Sequence, residues 1–540
     1  MTLKKTNVKQ SETNTGSAKE NLIKRFWKDW SVTIFILFFI LLVSFVLRYL
    51  KVIVGQQPVF ADEAIYVRWS QVMKAEPTLR FLPLSDGKQP LYMWILMFLL
   101  RGGFDPLIVG RLLSVFFGVM TNLGVFVLSY ILFRSKKVGI VAAILYAVSP
   151  FAMFFESMAL VDSTLAMMGV WFIIFLYLAF KTSRLDLSMI SGFFLGGALL
   201  TKSPALYFTL LTPVVAAVVS FSKKWKKALF EFSKKILLII PIFTIGYGMY
   251  NILRLGPNFH LIGARNTDYV FPISHLWQNP KDPFIFHIEE IGQWLWMLGP
   301  GVLLFLLILG LIVGFKKYRR ETCVLSLWIL LPILANAMYA KVFTARYILF
   351  AMPFIYIISA LFILFRSKLQ KLTYLLLTLF VANSLLVNYL LIWKIEEAPL
   401  PKSERTGYLE EWTAGYGIKE VSQYLINELD KTPSDKKIVV GTEGYFGTLP
   451  DGLQIYLNSY PEITVIGVGL DLKEVPISLI ESKDAGNKTY LVINSSRLVA
   501  KPDDLNLLLI RSYPKPLRSK GTHDFVKYGP QETLYFFEVL

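Results

Sequence analysis

The chain is poor in charge and nearly empty of cysteine and histidine. Charged residues are 17% of its 540 residues and hydrophobic residues 54%, where an ordinary soluble domain carries about 25% charged residues. A soluble fold would have nowhere to put that apolar surface. The single cysteine, Cys323, cannot close an intramolecular disulfide and leaves the redox compartment undetermined. Of the four histidines, His260, His275 and His287 fall near Glu289 and Glu290 without a recognised metal spacing. The segment GTEGYFGTLPDG, residues 441–452, is rich in glycine but lacks the GxGxxG fingerprint and reads as a structural turn. There is no internal repeat, no long low-complexity tract, and none of the alternation that marks a membrane β-barrel.

What is present is a series of apolar runs, most of about 18 to 25 residues, long enough to cross roughly 30 Å of hydrocarbon as helix. The first, residues 31–50, is too long for a signal-peptide core and is followed by no small-residue cleavage site, so it reads as a retained first span. The net charge of +18 comes from short basic clusters between apolar runs, the placement of membrane-flanking residues rather than of a nucleic-acid surface.

Those clusters orient the chain. The polar N-terminal tail, residues 1–30, holds Lys4, Lys5, Lys9, Lys19, Lys24, Arg25 and Lys28 and is expected in the cytoplasm. The later clusters at 134–137, 181–184, 223–227, 316–320 and 366–371 are all expected there too. About eleven crossings satisfy them, near 31–50, 107–133, 138–155, 161–180, 187–201, 204–221, 236–253, 294–315, 322–340, 345–365 and 372–394. This requires the ten-residue run 91–100 to lie on the outer interface instead of crossing. The expected fold is an α-helical polytopic protein of the plasma membrane, with a membrane domain over 31–394, outer loops at 51–106 and 254–293, and a soluble extracytoplasmic α/β domain over 395–540. In the last, GIKEVSQYLINELD places Ile418, Val421, Leu425 and Leu429 on one helical face, and KIVVGTE, EITVIGVG and TYLVIN read as strands.

The first outer loop contains PVFADEAIYVRWSQVM, where Ile65, Tyr66, Trp69, Val72 and Met73 recur at helical spacing. Asp62 shares that apolar face and Glu63, about 100° around, need not. Both acids suit a helix N-terminus, where the dipole stabilises carboxylates. Alternatively, a carboxylate held on an apolar face at the membrane surface serves as a general base. In KQPLYMW, Lys88 precedes Pro90, Tyr92 and Trp94, as an interface helix would have it. Arg111, Glu156, Asp162, Lys202 and Arg346 sit at span ends, where an ionisable residue is either an anchor or part of a substrate path. Together these residues would place cations and carboxylates where a lipid phosphate lies.

DEAIY, KQPLYMW, RLLSVFFGVMT, ALVDSTLA, LLTKSPAL and ARYILFAMPF occur in that order. The ordered set resembles the protein O-mannosyltransferase and aminoarabinose transferase group, glycosyltransferase family 39 and its bacterial relatives, which are GT-C enzymes. The resemblance runs over about residues 31–364. It implies a glycosyltransferase taking a sugar from a polyprenyl-phosphate-linked donor to an extracytoplasmic hydroxyl on protein, lipid or glycan. It also implies Asp62 as catalytic base with Glu63 beside it, Lys88, Lys202 and Arg346 on the donor phosphate, and Arg111, Asp162, Glu156 and Tyr92 in support. Two positions depart from the pattern: Gln89 stands where a proline usually follows the lysine, and Ser203 where a glycine often follows the second lysine. The expected chemistry inverts the anomeric carbon and requires no cofactor, although an acidic pair can hold a divalent metal. The competing reading is a transporter or flippase for a lipid-linked sugar, which would show inverted repeats and ionisable groups at the midplane.

Overall fold

The computed structural model describes residues 9–219, 224–365 and 370–540. Lys4, Lys5, Lys223, Arg366 and Lys368 of the basic clusters lie outside the described residues. The chain is mostly helical, and the tail expected as a separate segment is continuous from Lys9 with the first helix, α1 (Lys9–Ile53). A two-residue strand, β1 (Val59–Phe60), leads into α2 (Ala61–Ala75), followed by α3 (Leu91–Leu99) and α4 (Pro106–Phe133). With only nine residues, α3 is too short to cross, and its Tyr92, Met93, Leu96 and Met97 are buried.

Among the described residues seven helices are long and apolar enough to cross a membrane, and two bent pairs bring this to nine. One pair, Lys136–Ala147 with Pro150–Glu156, breaks by 58°. The other, Phe284–Met297 with Val302–Lys317, turns by 101°, so the run expected to cross from residue 294 is the tail of one helix and a second helix at nearly a right angle to it. Two expected crossings correspond to the shorter apolar helices Leu185–Leu199 and Ser203–Val215. Packing shows what they do. Ser191 Oγ donates to the Phe172 carbonyl, and Gly197 lies against Met168, so Leu185–Leu199 runs antiparallel to Val161–Thr182. Ser188 Oγ donates to the Leu238 carbonyl, while Gly192 faces Ile242 and Gly196 faces Met249, so it runs parallel to Trp225–Tyr250. A segment between two parallel neighbours has to return the chain, and Ser203–Val215 is that segment. The chain is a multi-pass membrane protein.

Inside the bundle, Arg48 Nε donates to Glu156 Oε2 at 2.8 Å and the Tyr146 hydroxyl donates to Oε1 at 2.6 Å. Both charges are fully buried, where an unpaired charge would be costly. Room for the carboxylate comes from Gly118, where a Cβ would lie 2.5 Å from Glu156 Oε2.

Beyond the last span, five strands form one mixed sheet: β3 (Ile438–Thr442), β4 (Ile463–Gly467), β5 (Lys488–Asn494), β6 (Leu507–Leu517) and β7 (Gln531–Val539), in the order β4-β3-β5-β7-β6. The first three are parallel, and β7 and β6 join antiparallel. The helix Ile418–Leu429 buries Ile418, Val421 and Leu425, and its Tyr424 ring meets those of Tyr490 on β5 and Phe536 on β7. The domain is joined to the membrane part through β2 (Ala414–Gly415), which pairs antiparallel with β1. The short helix Asp451–Leu457 lies on α2, where Arg68 Nε donates to Gln454 Oε1 at 3.0 Å and Gln71 Nε2 to the Ile455 carbonyl at 2.9 Å. The α/β domain therefore lies on the same side of the membrane as α2.

Candidate active site

The two acids that open α2 go to different places. Glu63 is fully buried and its oxygens are all engaged. Arg111 binds it through two nitrogens at 2.8 Å each, and the Ala159 and Phe60 N–H groups donate to it at 2.7 and 3.0 Å. Arg111 in turn donates to the Gln57 and Pro58 carbonyls, so this pair fixes the backbone leading into α2. With every lone pair committed, Glu63 is a poor candidate for moving a proton. Asp62, one residue earlier and partly open, faces a cavity.

That cavity holds about 550 Å³. Lys88 Nζ lies 3.2 Å from Asp62 Oδ1 and Arg346 Nη2 lies 2.5 Å from Oδ2. Lys202, which also lines it, pairs with Asp162 at 2.7 Å and sits 4.0 Å from the Tyr347 ring centre. Lys88, Lys202 and Arg346, which come from three separate stretches of chain, thus open onto one space. Tyr92, Arg111 and Glu156 do not line it: Tyr92 is buried with its hydroxyl on the Gly110 carbonyl, and Glu156 is the bundle carboxylate described above. Asp162 acts on the cavity through Lys202.

Two charged residues absent from the sequence reading complete the polar end. Asp86 Oδ2 is 3.3 Å from Lys88 Nζ, and its Oδ1 is 2.5 Å from Arg265 Nη2; Arg265 comes from the second outer loop. Four cations, Lys88, Lys202, Arg265 and Arg346, thus line the cavity with two carboxylates, Asp62 and Asp86, while Asp162 on Lys202 and Asp268 on Arg265 pair with two of those cations from outside the lining. Burial alone would raise the Asp62 carboxyl, but Lys88 and Arg346 outweigh it by charge and hydrogen bonding and hold it well below the usual carboxylate range. The Lys88 ammonium, which burial would lower, is instead held above its usual range by Asp62, Tyr66 and Asp86. Among the described residues no group of three His, Cys, Asp or Glu side chains could hold a metal ion.

The far wall changes character. Leu206 and Leu210 line it while being 51% and 66% exposed on the bundle surface, so the space reaches the lipid-facing side of Leu206–Val215. The two positions that depart from the family pattern meet in the wall: Gln89 Nε2 donates to Ser203 Oγ at 2.9 Å. Alongside it, the Leu91 N–H donates to the Leu200 carbonyl at 3.0 Å, so the stretches that carry Lys88 and Lys202 are tied together.

Over nearly the whole chain the fold is similar to that of two crystal structures of ArnT from Cupriavidus metallidurans. The apo state aligns at TM-score 0.56 with 13% identity over 95% of this chain and 98% of that one. The state bound to undecaprenyl phosphate aligns at TM-score 0.53 with 13% identity over 94% and 98%. The fold is of the GT-C type. Residues 87–246 match the family model of dolichyl-phosphate-mannose-protein mannosyltransferases, a stretch of this GT-C fold that includes Lys88, Asp162 and Lys202 but neither Asp62 nor Arg346. Among curated proteins no sequence match is found.

Proposed function

We propose that the protein is a glycosyltransferase that moves a sugar from a polyprenyl-phosphate-linked donor to a hydroxyl acceptor on the outer side of the membrane, with inversion. One observation carries this reading: a carboxylate, Asp62, shares a cavity with an excess of cations, and that cavity is polar at one end and reaches lipid at the other. A phosphate needs the cations, a prenyl chain needs the lipid-facing opening, and the acceptor hydroxyl needs a base. Membership of the GT-C fold class and the match over residues 87–246 support it, as does the undecaprenyl phosphate bound by ArnT, a protein of like fold.

In the proposed reaction the acceptor hydroxyl gives its proton to Asp62 as its oxygen bonds to the anomeric carbon. The bond from that carbon to the phosphate oxygen breaks on the opposite face. Its electron pair stays with the phosphate, where Lys88, Lys202 and Arg346 stabilise the growing charge. The salt bridges that make Asp62 a weak base in the free protein involve two of these cations. A donor phosphate competes for both, so donor binding restores basicity to Asp62 as it loads the site. A divalent metal at Asp62 and Asp86 would have to compete with Lys88, which pairs with both.

The test is a titration of purified protein with undecaprenyl phosphate, followed by the change in total tryptophan fluorescence, to which Trp69, with its ring centre 5.7 Å from Lys88 Nζ, contributes. Saturable binding is expected. Lys88→Ala, Lys202→Ala and Arg346→Ala should each weaken it by about 10- to 150-fold, the equivalent of about 1.5 to 3 kcal/mol for a charge-assisted contact. Binding unaffected by all three substitutions would remove the cavity from donor recognition. Cells lacking the protein should also lose a hexose or pentose from some envelope component, read by mass spectrometry.

A further inference from the structure

The junction between the last span and the α/β domain, residues 402–415, touches the cavity wall at points the proposed chemistry does not use. Glu404 is buried, 2% exposed, and its Oε1 accepts the Ala345 N–H at 2.8 Å, one residue before Arg346. The Tyr408 ring lies 4.5 Å from that of Phe60, and the Arg346 guanidinium lies 5.3 Å from the same Phe60 ring. The Thr413 carbonyl accepts the Ala61 N–H at 3.1 Å, one residue before Asp62. Both members of the Asp62–Arg346 pair are thus held, through the residue preceding each, by one short stretch of the C-terminal region.

The polar accounting singles out Glu404. Among the described residues its Oε2 and the Arg346 Nε are both buried without a hydrogen-bond partner, an expensive state for charged groups that calls for a reason. The groups that face Glu404 are the Ala345 N–H and the charges of Arg346 and Glu290, with the Tyr408 phenol nearby. Burial pushes the Glu404 carboxyl up to about 7, opposed by the Ala345 hydrogen bond and Arg346 and reinforced by Glu290.

We propose that Glu404 is a positioning residue that aims Arg346 into the cavity, and that residues 402–415 make the C-terminal domain part of the site's machinery by fixing the Asp62–Arg346 pair from both sides. This rests on the donor reading, so the test keeps the two apart. Amide hydrogen exchange of a peptide spanning residues 343–349 is measured in the ligand-free protein, and undecaprenyl phosphate binding is measured separately. Glu404→Ala should speed exchange in that peptide and weaken binding about 10-fold or more, whereas Glu404→Gln, which keeps an acceptor for the Ala345 N–H, should retain both within about 3-fold. Because Glu404 acts through Arg346, Glu404→Ala should add less than about 2-fold in an Arg346→Ala background. Should Glu404→Ala not fold, Glu404→Asp, which draws the carboxylate back by one methylene, carries the same expectations. Unchanged exchange and binding in these variants, or a full additional loss without Arg346, would overturn the inference. A wild-type protein that fails to bind the lipid phosphate would overturn the donor reading instead, and the exchange result would still decide whether Glu404 holds the turn.

Discussion

At the scale of single residues, the chemistry turns on a carboxylate gripped by two cations. Asp62→Asn keeps shape and polarity but cannot accept a proton, so transfer should slow by about 10² to 10⁴ while undecaprenyl phosphate still binds. Wild-type turnover in that variant would take Asp62 out of the mechanism and leave Asp86, the other carboxylate on Lys88, as the next candidate base. The Gln89–Ser203 bond makes a second expectation. Gln89→Ala and Ser203→Ala should each weaken the tie between the Lys88 and Lys202 stretches, and the pair should couple by about 0.5 to 1.5 kcal/mol in a double-mutant cycle on lipid-phosphate affinity. Simple additivity would mean the contact contributes nothing. Asp62, Lys88, Lys202 and Arg346 were legible because each sits in a short motif at a predicted loop or span end. Asp86 and Arg265 were not, since partners 179 residues apart leave no periodic trace in a sequence. Glu63 was legible as an acid turned away from the face of Asp62 but not in its part, because its partners Arg111 and the Ala159 N–H come from other elements.

Among elements, the strands show where pattern runs out. The parallel strands β3, β4 and β5 are short apolar runs bounded by turn residues and could be read directly. β6 contains Pro514 and Pro516 and two irregularities in its register, features an edge strand tolerates and a sequence pattern does not reveal. The two-residue β1–β2 pair could not be foreseen at all, because it exists only when the C-terminal domain docks. The junction that makes this contact also has a pH signature. Glu404 loses its proton near 4.5 in the unfolded chain and near 7 in the folded one, chiefly through burial. Between those values the folded state binds more protons, so the stability contributed by this group is fully present below 4.5 and lost as pH rises through 7. The change is about 3 kcal/mol. Thermal unfolding of the detergent-solubilised protein should therefore fall more steeply from pH 5 to pH 8 in wild type than in Glu404→Gln, which stays neutral. Equal slopes would mean that Glu404 ionises in the fold as it does in the open chain.

For the molecule as a whole, topology and the site constrain each other. The first outer loop and the C-terminal domain touch through β1 and β2, so the chain between them makes an even number of crossings. Lys202 pairs with Asp162, which places the C-terminal end of Leu185–Leu199 beside the N-terminal end of Val161–Thr182. A helix of 15 residues, about 22 Å long, thus returns the chain along one of 22 residues, about 33 Å long. Composition alone passes over this short helix, but geometry makes it cross, and Ser203–Val215 must cross with it. Among the described residues, adding both to the seven apolar spans and the two bent pairs would give eleven passages, against the roughly eleven expected from the basic clusters. The turn between Thr182 and Leu185 then lies on the face opposite Asp62, and the positive-inside rule predicts that this face is the cytoplasmic one. With Cys323 replaced by serine, a single cysteine at exposed Ser183 should react in intact cells only with a membrane-permeant reagent, whereas one at exposed Ala485 should react with an impermeant one. Labelling of position 183 from outside would invert the chain and move the cavity, its cations and Asp62 to the cytoplasmic face, where an acceptor on the cell exterior could not reach them.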